Sequence, residues 1–470
     1  MENLLITDNI ILMSDSYKFS HHLQLQPKTT NTYSYFESRG GRFPATTFFG
    51  LQYYIKKYLV GRVVTQEKIE EAQSYVDPHF GIKRIFNREG WELIANKFDG
   101  KLPVIIKSVL EGTTVPYSNV LVTIELTEEA QATGQLAWLV NFLETLLVEI
   151  WYPITVATLS REIKKVISDY LTVTGGIEGV NFKLHDFGFR GVSSPESAAI
   201  GGAAHLINFL GTDTMVANVL ARKFYGEHMA GFSIPASEHS TITSWGKARE
   251  AQAMANMLEQ FKDCPLVACV SDSYDIFNAC ANIWGDVLKE KVLNHNGTLV
   301  IRPDSGDPEN VIAKVMDILG AKFGYENNRQ GYKVLNPHVR VIQGDGVNYD
   351  SIKAILQRMK VNGWSAANIA FGMGGALLQK LDRDTQRFAF KCSETTVDGE
   401  SIEVYKDPIT DKGKRSKSGR LRLVKVGNTG EYTTLPEGVS VETDHLVEVF
   451  RGGELLIDQK MSEIRERAAL

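Results

Sequence analysis

Five apolar runs along the central part of the chain each end abruptly in charged, glycine or hydroxyl residues. With their polar ends, these runs lie at 183–194, 267–275, 298–308, 339–346 and 368–375. Parallel strands that are buried on both faces read as continuous apolar runs. Enzymes built on parallel sheets place their chemistry at the ends of such strands. The pattern therefore predicts a parallel sheet with a functional site along one edge.

Helical patterns fill the gaps between the strand-like runs. They lie at 244–261, 275–292, 308–324 and 349–360. Repeated strand and helix units predict a parallel sheet, and this many units favours closure into a barrel over an open sheet. We expect an α/β fold with an irregular (β/α) barrel-like domain over residues 151–385.

The two ends of the chain have a different character. Residues 1–150 and 386–470 alternate short apolar segments with turn signals, as at 102–126, and residues 65–76 carry a helical pattern. β-Branched residues punctuated by Gly and Pro are typical of antiparallel strands. We therefore expect both termini to fold together into a second, β-rich α+β domain.

Composition and charge exclude several classes of protein. The formal net charge is −5, whereas general nucleic-acid binders rely on an excess of Lys and Arg. The longest candidate membrane span, 130–159, is interrupted by Glu144 and Glu149, so we expect a core helix there and no membrane span. The four cysteines show no Cys-x-x-Cys spacing of a metal or redox site. Glu2 and Asp8 stand where a signal peptide would carry positive charge, so we do not expect export. The expected location is the cytoplasm.

The polar ends of the strand-like runs combine guanidinium groups, carboxylates and glycine backbone N–H groups. The residues concerned are Arg190, Arg302, Asp304, Asp345, Gly374 and Gly375. Arginine pairs with phosphate through two parallel charge-assisted hydrogen bonds, and glycine lets backbone donors approach oxygen closely. Aspartate accepts hydrogen bonds from ribose hydroxyls or binds a hydrated cation. This mixture predicts an enzyme that binds a phosphorylated sugar.

Several sequence blocks resemble one known family, nicotinamide phosphoribosyltransferase, and they occur in the same order. The blocks are SDSYKFSHH (14–22), WYPITVAT (151–158), HDFGFRGVSS (185–194), GTDT (211–214), PASEHST (235–241), SDSYD (271–275), IRPDSGDP (301–308), VIQGDG (341–346), FGMGGALLQKLDRD (371–384) and FKCS (390–393). The resemblance implies transfer of a phosphoribosyl group from phosphoribosyl pyrophosphate to nicotinamide, giving nicotinamide mononucleotide and pyrophosphate in NAD salvage. It also implies a type II phosphoribosyltransferase barrel, a homodimer with shared active sites, Mg²⁺, and ATP as co-substrate or activator.

The resemblance implies roles for three residues at the nicotinamide ring. Phe187 would stack on one face of the ring, and Tyr17 of the partner subunit would cover the other. Asp213 would accept a hydrogen bond from the carboxamide NH₂ and would repel the carboxylate of nicotinate. Taken singly, a Phe in a core, a Tyr at an interface and an Asp capping a helix are the commoner roles of these residue types.

The sugar and its phosphates would be bound by a larger set of residues. The resemblance puts Arg190 and Arg302 on phosphate groups, Asp304 and Asp345 on ribose hydroxyls or Mg²⁺, Asp275 on the hydrated Mg²⁺ and the Gly374–Gly375 backbone on the 5′-phosphate. Ser271 and Gly344 belong to the same motifs. Arg383 and Lys391 would reach the neighbouring subunit's site, and Lys406 and Lys414 would come from a basic stretch. Ala389 stands where relatives often carry a serine, so one hydroxyl contact to phosphate is in question.

His239, in PASEHST, resembles a histidine that ATP phosphorylates to drive synthesis forward. With Asp213, Arg302 and Asp304 it completes the expected catalytic set. No general base is needed, because the attacking pyridine nitrogen is neutral and has no proton to lose.

Three alternatives stay open at this point. A nicotinate phosphoribosyltransferase would share the barrel but would have to bind an anionic ring substituent, against which Asp213 speaks. A phosphosugar aldolase or isomerase on the same barrel would need a Schiff-base lysine or a base at a carbon acid, and no strand end clearly supplies one. The third alternative is a sensor that keeps the fold without catalysis.

Overall fold

The computed structural model describes residues 6–410, 415–426, 430–440 and 443–469. The chain forms two compact units. One consists of Met1–Thr158 with Asp382–Ala468, and the other of Leu159–Leu381 with Ala469–Leu470. Among the described residues, none of the helices has the length and apolar character needed to cross a lipid bilayer.

Among the described residues, the N-terminal part of the chain contains five strands and seven α-helices. The strands are β1 (Thr29–Ser38), β2 (Ala45–Thr47), β3 (Val104–Ser108), β4 (Thr114–Pro116) and β5 (Val120–Leu126). The helices are α1 (Leu51–Tyr54), α2 (Gln66–Phe80), α3 (Arg88–Lys97), α4 (Glu128–Gln131), α5 (Leu139–Phe142), α6 (Glu144–Val148) and α7 (Trp151–Thr174). A 3₁₀ helix, Ser16–Leu23, precedes β1.

The central part alternates strands with helices. The strands are β6 (Leu184–Asp186), β7 (Gly211–Thr212), β8 (Leu266–Val270), β9 (Thr298–Arg302), β10 (Tyr325–Asn327), β11 (Lys333–Leu335), β12 (Val339–Gln343) and β13 (Ile369–Met373). The helices are α8 (Pro195–His205), α9 (Met215–Tyr225), α10 (His239–Thr243), α11 (Glu250–Gln260), α12 (Ile276–Asn278), α13 (Lys289–Leu293), α14 (Pro308–Phe323), α15 (Tyr349–Val361) and α16 (Gly375–Leu378).

The C-terminal part returns to short strands and ends in one helix. These elements are β14 (Phe388–Val397), β15 (Glu400–Glu403), β16 (Leu421–Val426), β17 (Glu431–Pro436), β18 (Val447–Arg451), β19 (Glu454–Leu455) and α17 (Met461–Ala468).

The first unit is built on a seven-stranded antiparallel sheet with the strand order β15-β14-β1-β5-β3-β18-β19. Strand β1 pairs with β14 on one side and β5 on the other, so the two ends of the chain share this sheet. Nearly every residue of β1 is buried, and its polar side chains have partners. The hydroxyl of Thr32 donates to the carbonyl oxygen of Ala137 (2.8 Å), and that of Ser34 donates to Oδ1 of Asn141 (3.0 Å).

The second unit contains a six-stranded parallel sheet with the order β7-β6-β13-β12-β9-β8. Side chains of this sheet form a buried apolar cluster. Ala268, Val300 and Ile342 form its buried cluster, and Phe187 and Ile234 pack against it. The strand and helix alternation that the sequence predicts for this region is therefore confirmed.

Residues 232–237 join the two edges of the parallel sheet. On the β7 side, the carbonyl oxygen of Phe232 accepts from Thr212 N (2.9 Å), and Phe232 N donates to the carbonyl oxygen of Leu210 (2.7 Å).

On the β8 side, Ala268 N donates to the carbonyl oxygen of Pro235 (2.9 Å), and Ser237 N donates to that of Ala268 (3.1 Å). Parallel bridges at Phe232 and Ala236 accompany these bonds. The sheet thus closes into the irregular barrel that the sequence predicts.

A buried histidine connects three elements of the second unit. His205, at the end of α8, is fully buried. Its Nε2 donates to the carbonyl oxygen of Gly211 (3.2 Å), so its Nδ1 accepts from the hydroxyl of Ser160 on α7 (2.9 Å). Burial lowers the pKa of His205 to about 3. The ring is therefore neutral in the folded protein at every physiological pH.

His205 makes the stability of this unit sensitive to mild acid. The unfolded chain binds the proton first as pH falls, because the pKa of an unfolded histidine is about 6.5. The contribution of neutral His205 to the free energy of unfolding is complete above about pH 6.5 and is lost as the pH falls towards 3. When the pH is lowered from 7 to 5, we expect the titration of this group to reduce the free energy of unfolding by about 2 kcal/mol.

The measurement is urea unfolding at both pH values. His205→Gln should be less stable than the wild type at pH 7 but should lose less stability on going to pH 5. His228→Gln changes an exposed histidine of the same unit and should keep the wild-type pH dependence. An unchanged pH dependence in His205→Gln would contradict this account.

Candidate active site

The carboxyl ends of the barrel strands meet at one rim, because the strands are parallel. A cavity of about 730 Å³ lies at this rim. Its walls include Phe187, Arg190, Asp213 and Arg302, all of which the sequence predicts as site residues. The rest of the lining comes mainly from the segments 192–195 and 236–238.

Phe187 follows β6 directly and provides an aromatic surface in the cavity. Its backbone N donates to the carbonyl oxygen of Met373 (3.0 Å), and its ring centroid lies 5.4 Å from the guanidinium carbon of Arg302. Gly372 on β13 makes room for the ring, since a Cβ there would lie 1.9 Å from Cε2 of Phe187. The first glycine of the FGMGG motif (371–375) is therefore required by the packing of this ring.

Asp213 follows β7 and is exposed at the same cavity. Its Oδ1 accepts from the hydroxyl of Ser233 (2.5 Å), and its backbone N donates to the carbonyl oxygen of Asp186 (2.9 Å). Ser233 lies in the segment that closes the barrel and was not predicted from the sequence.

Arg302, Asp304 and Gly344 lie together at the carboxyl ends of β9 and β12. The guanidinium of Arg302 donates to Oδ1 of Asp304 through Nη2 (2.7 Å) and Nε (3.2 Å). A Cβ at Gly344 would lie 2.9 Å from that oxygen and 3.0 Å from Nε of Arg302. The absence of a side chain at position 344 therefore permits this arginine–aspartate pair.

His239 is paired with the carboxylate of Asp272, which was not predicted from the sequence. Its Nε2 lies 2.9 Å from Oδ1 of Asp272, and its Nδ1 lies 4.0 Å from Oδ2 of Asp304. The Asp272 side chain is nearly fully buried, and its Oδ2 accepts from Asp304 N (3.1 Å) and from the hydroxyl of Ser305 (2.5 Å). A carboxylate can only accept, so Nε2 of His239 carries the proton and Nδ1 has the free lone pair.

Two other predicted residues have internal partners. Ser271 is fully buried, and its hydroxyl donates to the carbonyl oxygen of Cys269 (2.9 Å) and accepts from Nε1 of Trp284 (3.0 Å). Asp275 caps α12, since its Oδ1 accepts from the backbone N of Phe277 (2.9 Å) and of Asn278 (3.0 Å). Both side chains therefore support the strand end that presents Asp272.

The remaining predicted residues of this unit also lie at the carboxyl ends of strands. Asp345 is exposed two residues after β12, and Gly374 and Gly375 follow β13. The turn at Gly191 packs against the second of these glycines, because a Cβ at Gly191 would lie 3.2 Å from Gly375 N. Arg190 is exposed in the same turn.

The first unit contains a second polar cavity, of about 870 Å³. Its lining includes four residues that the sequence predicts for the site, namely Tyr17, Arg383, Lys391 and Lys406, together with Ala389. Burial is the main cause of the lowered pKa of Lys391, and nearby cations including Lys406 and Arg383 lower it further. Lys414 lies outside the described residues.

Arg39 and Arg387 line this second cavity but were not identified from the sequence. Nε of Arg39 donates to Oε1 of Glu37 (3.1 Å), and Glu37 also pairs with Lys417. Nη2 of Arg39 is buried and has no hydrogen-bond partner among the residues that the structure describes. In the sequence, Arg39 lies in SRGGRFP (38–44), whose glycines and proline indicate a turn and give no sign of a binding role.

Tyr17 is presented by the 3₁₀ helix Ser16–Leu23, which a buried lysine holds in place. Lys18 is 4% exposed, its Nζ donates to the carbonyl oxygen of Asn141 (2.9 Å), and it forms an ion pair with Glu144. The neighbouring Tyr17 side chain is 57% exposed. An exposed aromatic ring on a firmly attached helix is available to cover a ligand.

Two family models and curated relatives match the chain. Residues 182–450 match the nicotinate phosphoribosyltransferase (NAPRTase) family, and residues 9–106 match the nicotinamide phosphoribosyltransferase N-terminal domain. The chain is 50% identical over 469 residues to a nicotinamide phosphoribosyltransferase of Xanthomonas campestris pv. campestris, covering 98% of both chains.

Two solved structures share the fold at low identity. The nicotinate-nucleotide pyrophosphorylase of Pyrococcus furiosus is 17% identical, with a TM-score of 0.63 over 100% of this chain and 97% of the other. Human nicotinic acid phosphoribosyltransferase is 14% identical, with a TM-score of 0.57 over 97% of this chain and 93% of the other. These likenesses confirm the expected fold class, and the sequence matches show that the chain belongs to the nicotinamide phosphoribosyltransferase family.

Proposed function

We propose that this protein transfers the phosphoribosyl group of phosphoribosyl pyrophosphate to nicotinamide in NAD salvage. The bond from the sugar C1 to pyrophosphate breaks, and a bond from C1 to the pyridine nitrogen forms. The observation that carries the proposal is the arrangement of Phe187, Asp213 and Arg302 around one cavity. It combines a surface for a flat ring, an acceptor for an amide and a guanidinium for phosphate.

The chemistry needs positioning and charge stabilisation rather than proton transfer, because the neutral pyridine nitrogen attacks without losing a proton. Arg302 and Arg190 are the cavity's guanidinium groups, suited to the phosphates and to the negative charge that grows on departing pyrophosphate. Asp304 holds Arg302 in a fixed orientation through Oδ1. A prearranged cation costs little reorganisation when the leaving group departs.

Asp213 favours nicotinamide over nicotinate as the acceptor. Its carboxylate is exposed at the ring cavity and accepts from Ser233 through Oδ1, so it can also accept from a carboxamide NH₂. The carboxylate of nicotinate would be repelled at the same place. This carboxylate is the feature that speaks against a nicotinate-specific enzyme.

Mg²⁺ fits this site as an ion bound jointly by protein and substrate. Mg²⁺ usually keeps several waters and takes one or two carboxylates together with substrate phosphates. Asp304 offers Oδ2, because Oδ1 is bonded to Arg302, and Asp345 is exposed at the neighbouring strand end. Within the described ranges there is no cluster of three or more His, Cys, Asp or Glu side chains arranged to bind a metal. Bound there, the ion would screen the charge of the pyrophosphate.

His239 is the proposed site of ATP-driven phosphorylation. Asp272 holds Nε2 of His239 as a donor, which leaves Nδ1 to attack the γ-phosphorus of ATP. A bond from Nδ1 to phosphorus forms, the bond from phosphorus to the β–γ bridging oxygen breaks, and ADP leaves. The proton on Nε2 is shared with Asp272, which stabilises the cationic ring.

A homodimer with shared active sites explains why the predicted residues fall into two sets. Phe187, Asp213 and Arg302 belong to one unit, whereas Tyr17 and Lys391 belong to the other. We propose that each site combines the first set from one subunit with the second set from its partner. The four cysteines are free, which suits the reducing cytoplasm in which we place the enzyme.

Asp213→Asn should weaken the preference for nicotinamide. The asparagine can still accept from the amide but no longer repels a carboxylate, so the ratio of kcat/KM for nicotinamide to that for nicotinate should fall about tenfold or more. Steady-state assays of mononucleotide formation with each vitamin measure this ratio. Asp263→Asn changes an exposed aspartate just before β8, and it should keep the wild-type ratio. A wild type that used both vitamins equally would contradict the role of Asp213.

Asp272→Asn should reduce the stimulation by ATP. Without the carboxylate, His239 loses the partner that fixes its ring and stabilises its cation, so the ratio of rates with and without ATP should fall about tenfold. Rates of mononucleotide formation with and without ATP give this ratio, and His239→Asn should abolish the stimulation altogether. Equal stimulation in Asp272→Asn and the wild type would refute the pairing.

Mixing two inactive variants tests the shared sites. Tyr17→Ala and Phe187→Ala should each have low activity alone. In a mixed dimer, one site contains both intact aromatic residues. Random exchange of subunits should therefore restore about a quarter of wild-type activity. Each variant mixed with itself is the control, and no gain after verified subunit exchange would show that both rings come from one subunit.

A further inference from the structure

The buried carboxylate of Asp186 is not used in the reaction described above. Asp186 is the last residue of β6, is 0% exposed and directly precedes Phe187. We propose that Asp186 is a positioning residue that fixes Phe187 relative to Asp213 and so strengthens the preference for an uncharged ring substituent. This inference rests on the proposed function and adds a residue that determines its specificity.

One carboxylate oxygen of Asp186 fixes the turn that presents Phe187. Oδ1 accepts from Gly188 N (2.7 Å), on the far side of Phe187 in the chain. The turn has no spare room, because a Cβ at Gly188 would lie 2.7 Å from the Leu378 side chain and 3.0 Å from Oδ1 of Asp186. The backbone on both sides of Phe187 is therefore held in place by Asp186.

The other polar atoms of Asp186 bind the segment that presents Asp213. Its carbonyl oxygen accepts from Asp213 N (2.9 Å), and its Oδ2 accepts from the hydroxyl of Thr212 (3.5 Å). The same hydroxyl accepts from Thr214 N (3.0 Å). Asp213 is thus held at its own backbone and through both of its neighbours, so one buried residue connects the aromatic surface and the amide acceptor.

The charge of Asp186 is costly to keep, which points to a use for it. Burial raises the pKa of Asp186 to about 6, and the nearby charge of Asp213 adds to the rise. The group is still ionised at neutral pH. In the part of the chain that the structure describes, no Lys, Arg or His forms an ion pair with it. A buried negative charge next to Asp213 adds to the repulsion of a nicotinate carboxylate.

Steady-state kinetics of Asp186→Asn test the inference. The asparagine keeps the size and can still accept from Gly188 N, so the variant chiefly removes the charge and the acceptor at Oδ2. We expect the ratio of kcat/KM for nicotinamide to that for nicotinate to fall about tenfold, with a raised KM for nicotinamide. The KM for phosphoribosyl pyrophosphate should stay within about twofold of the wild-type value.

Two further variants keep the test decisive. Glu250→Gln removes another buried carboxylate of the same unit, 7% exposed, and should keep the wild-type ratio. If Asp186→Asn does not fold, Thr212→Val takes its place. It removes the hydroxyl that joins Oδ2 of Asp186 to Thr214 N, and it should shift the ratio in the same direction by a smaller factor.

The outcomes separate this inference from the proposed function. A wild type that makes no mononucleotide from nicotinamide would contradict the proposed function itself. An active wild type together with an unchanged vitamin ratio in folded Asp186→Asn, or in Thr212→Val, would overturn the role of Asp186 alone. Equal increases in the KM for nicotinamide and the KM for phosphoribosyl pyrophosphate would also overturn it, since they indicate a general loss of structure.

Discussion

The backbone hydrogen bonds of residues 232–237 hold the barrel closed, and the candidate site depends on that closure. The segment pairs with β7 on one side and with β8 on the other. The same pairing brings Ser233 to Asp213 and His239 to Asp272, at 2.5 and 2.9 Å. Without it, both edge strands would expose unpaired backbone groups, and the four side chains would stand on separate loops. A structural requirement of the sheet therefore also assembles the polar contacts of the rim.

The two polar cavities balance their charges differently. At the barrel rim, Arg302 is neutralised by Asp304, and an incoming phosphate must compete for the guanidinium. In the other unit, burial lowers the pKa of Lys391, and the surrounding cations, Arg383 and Lys406 among them, lower it further against the opposing charge of Glu144. The carboxylates in its lining offset only part of this positive charge, and like charges held together favour the binding of an anion. The first cavity therefore suits precise orientation of a phosphate, and the second suits attraction of a polyanion.

Much of the fold could be predicted from the sequence, because buried parallel strands leave a local signal. The run at 298–308 contains β9, and the run at 339–346 contains β12, each with polar residues at its end. The closing segment left no such signal. It is held by single bridges rather than by a run of paired residues, and β7 itself has only two residues. An element defined by its neighbours rather than by its own composition cannot be read from local periodicity.

Asp272 and Arg39 were both missed in the sequence, for different physical reasons. Asp272 and Asp275 stand in one motif, yet the first lies two residues after β8 and meets His239, whereas the second caps α12. Side chains close to a strand end face the rim, and an aspartate at the start of a helix commonly caps it. Distance from the strand end thus separates the two. The sequence around Arg39 gives no comparable signal, because the position of Arg39 depends on a residue far along the chain. Its backbone N donates to the carbonyl oxygen of Arg387. Only the folded sheet brings those two arginines to one cavity.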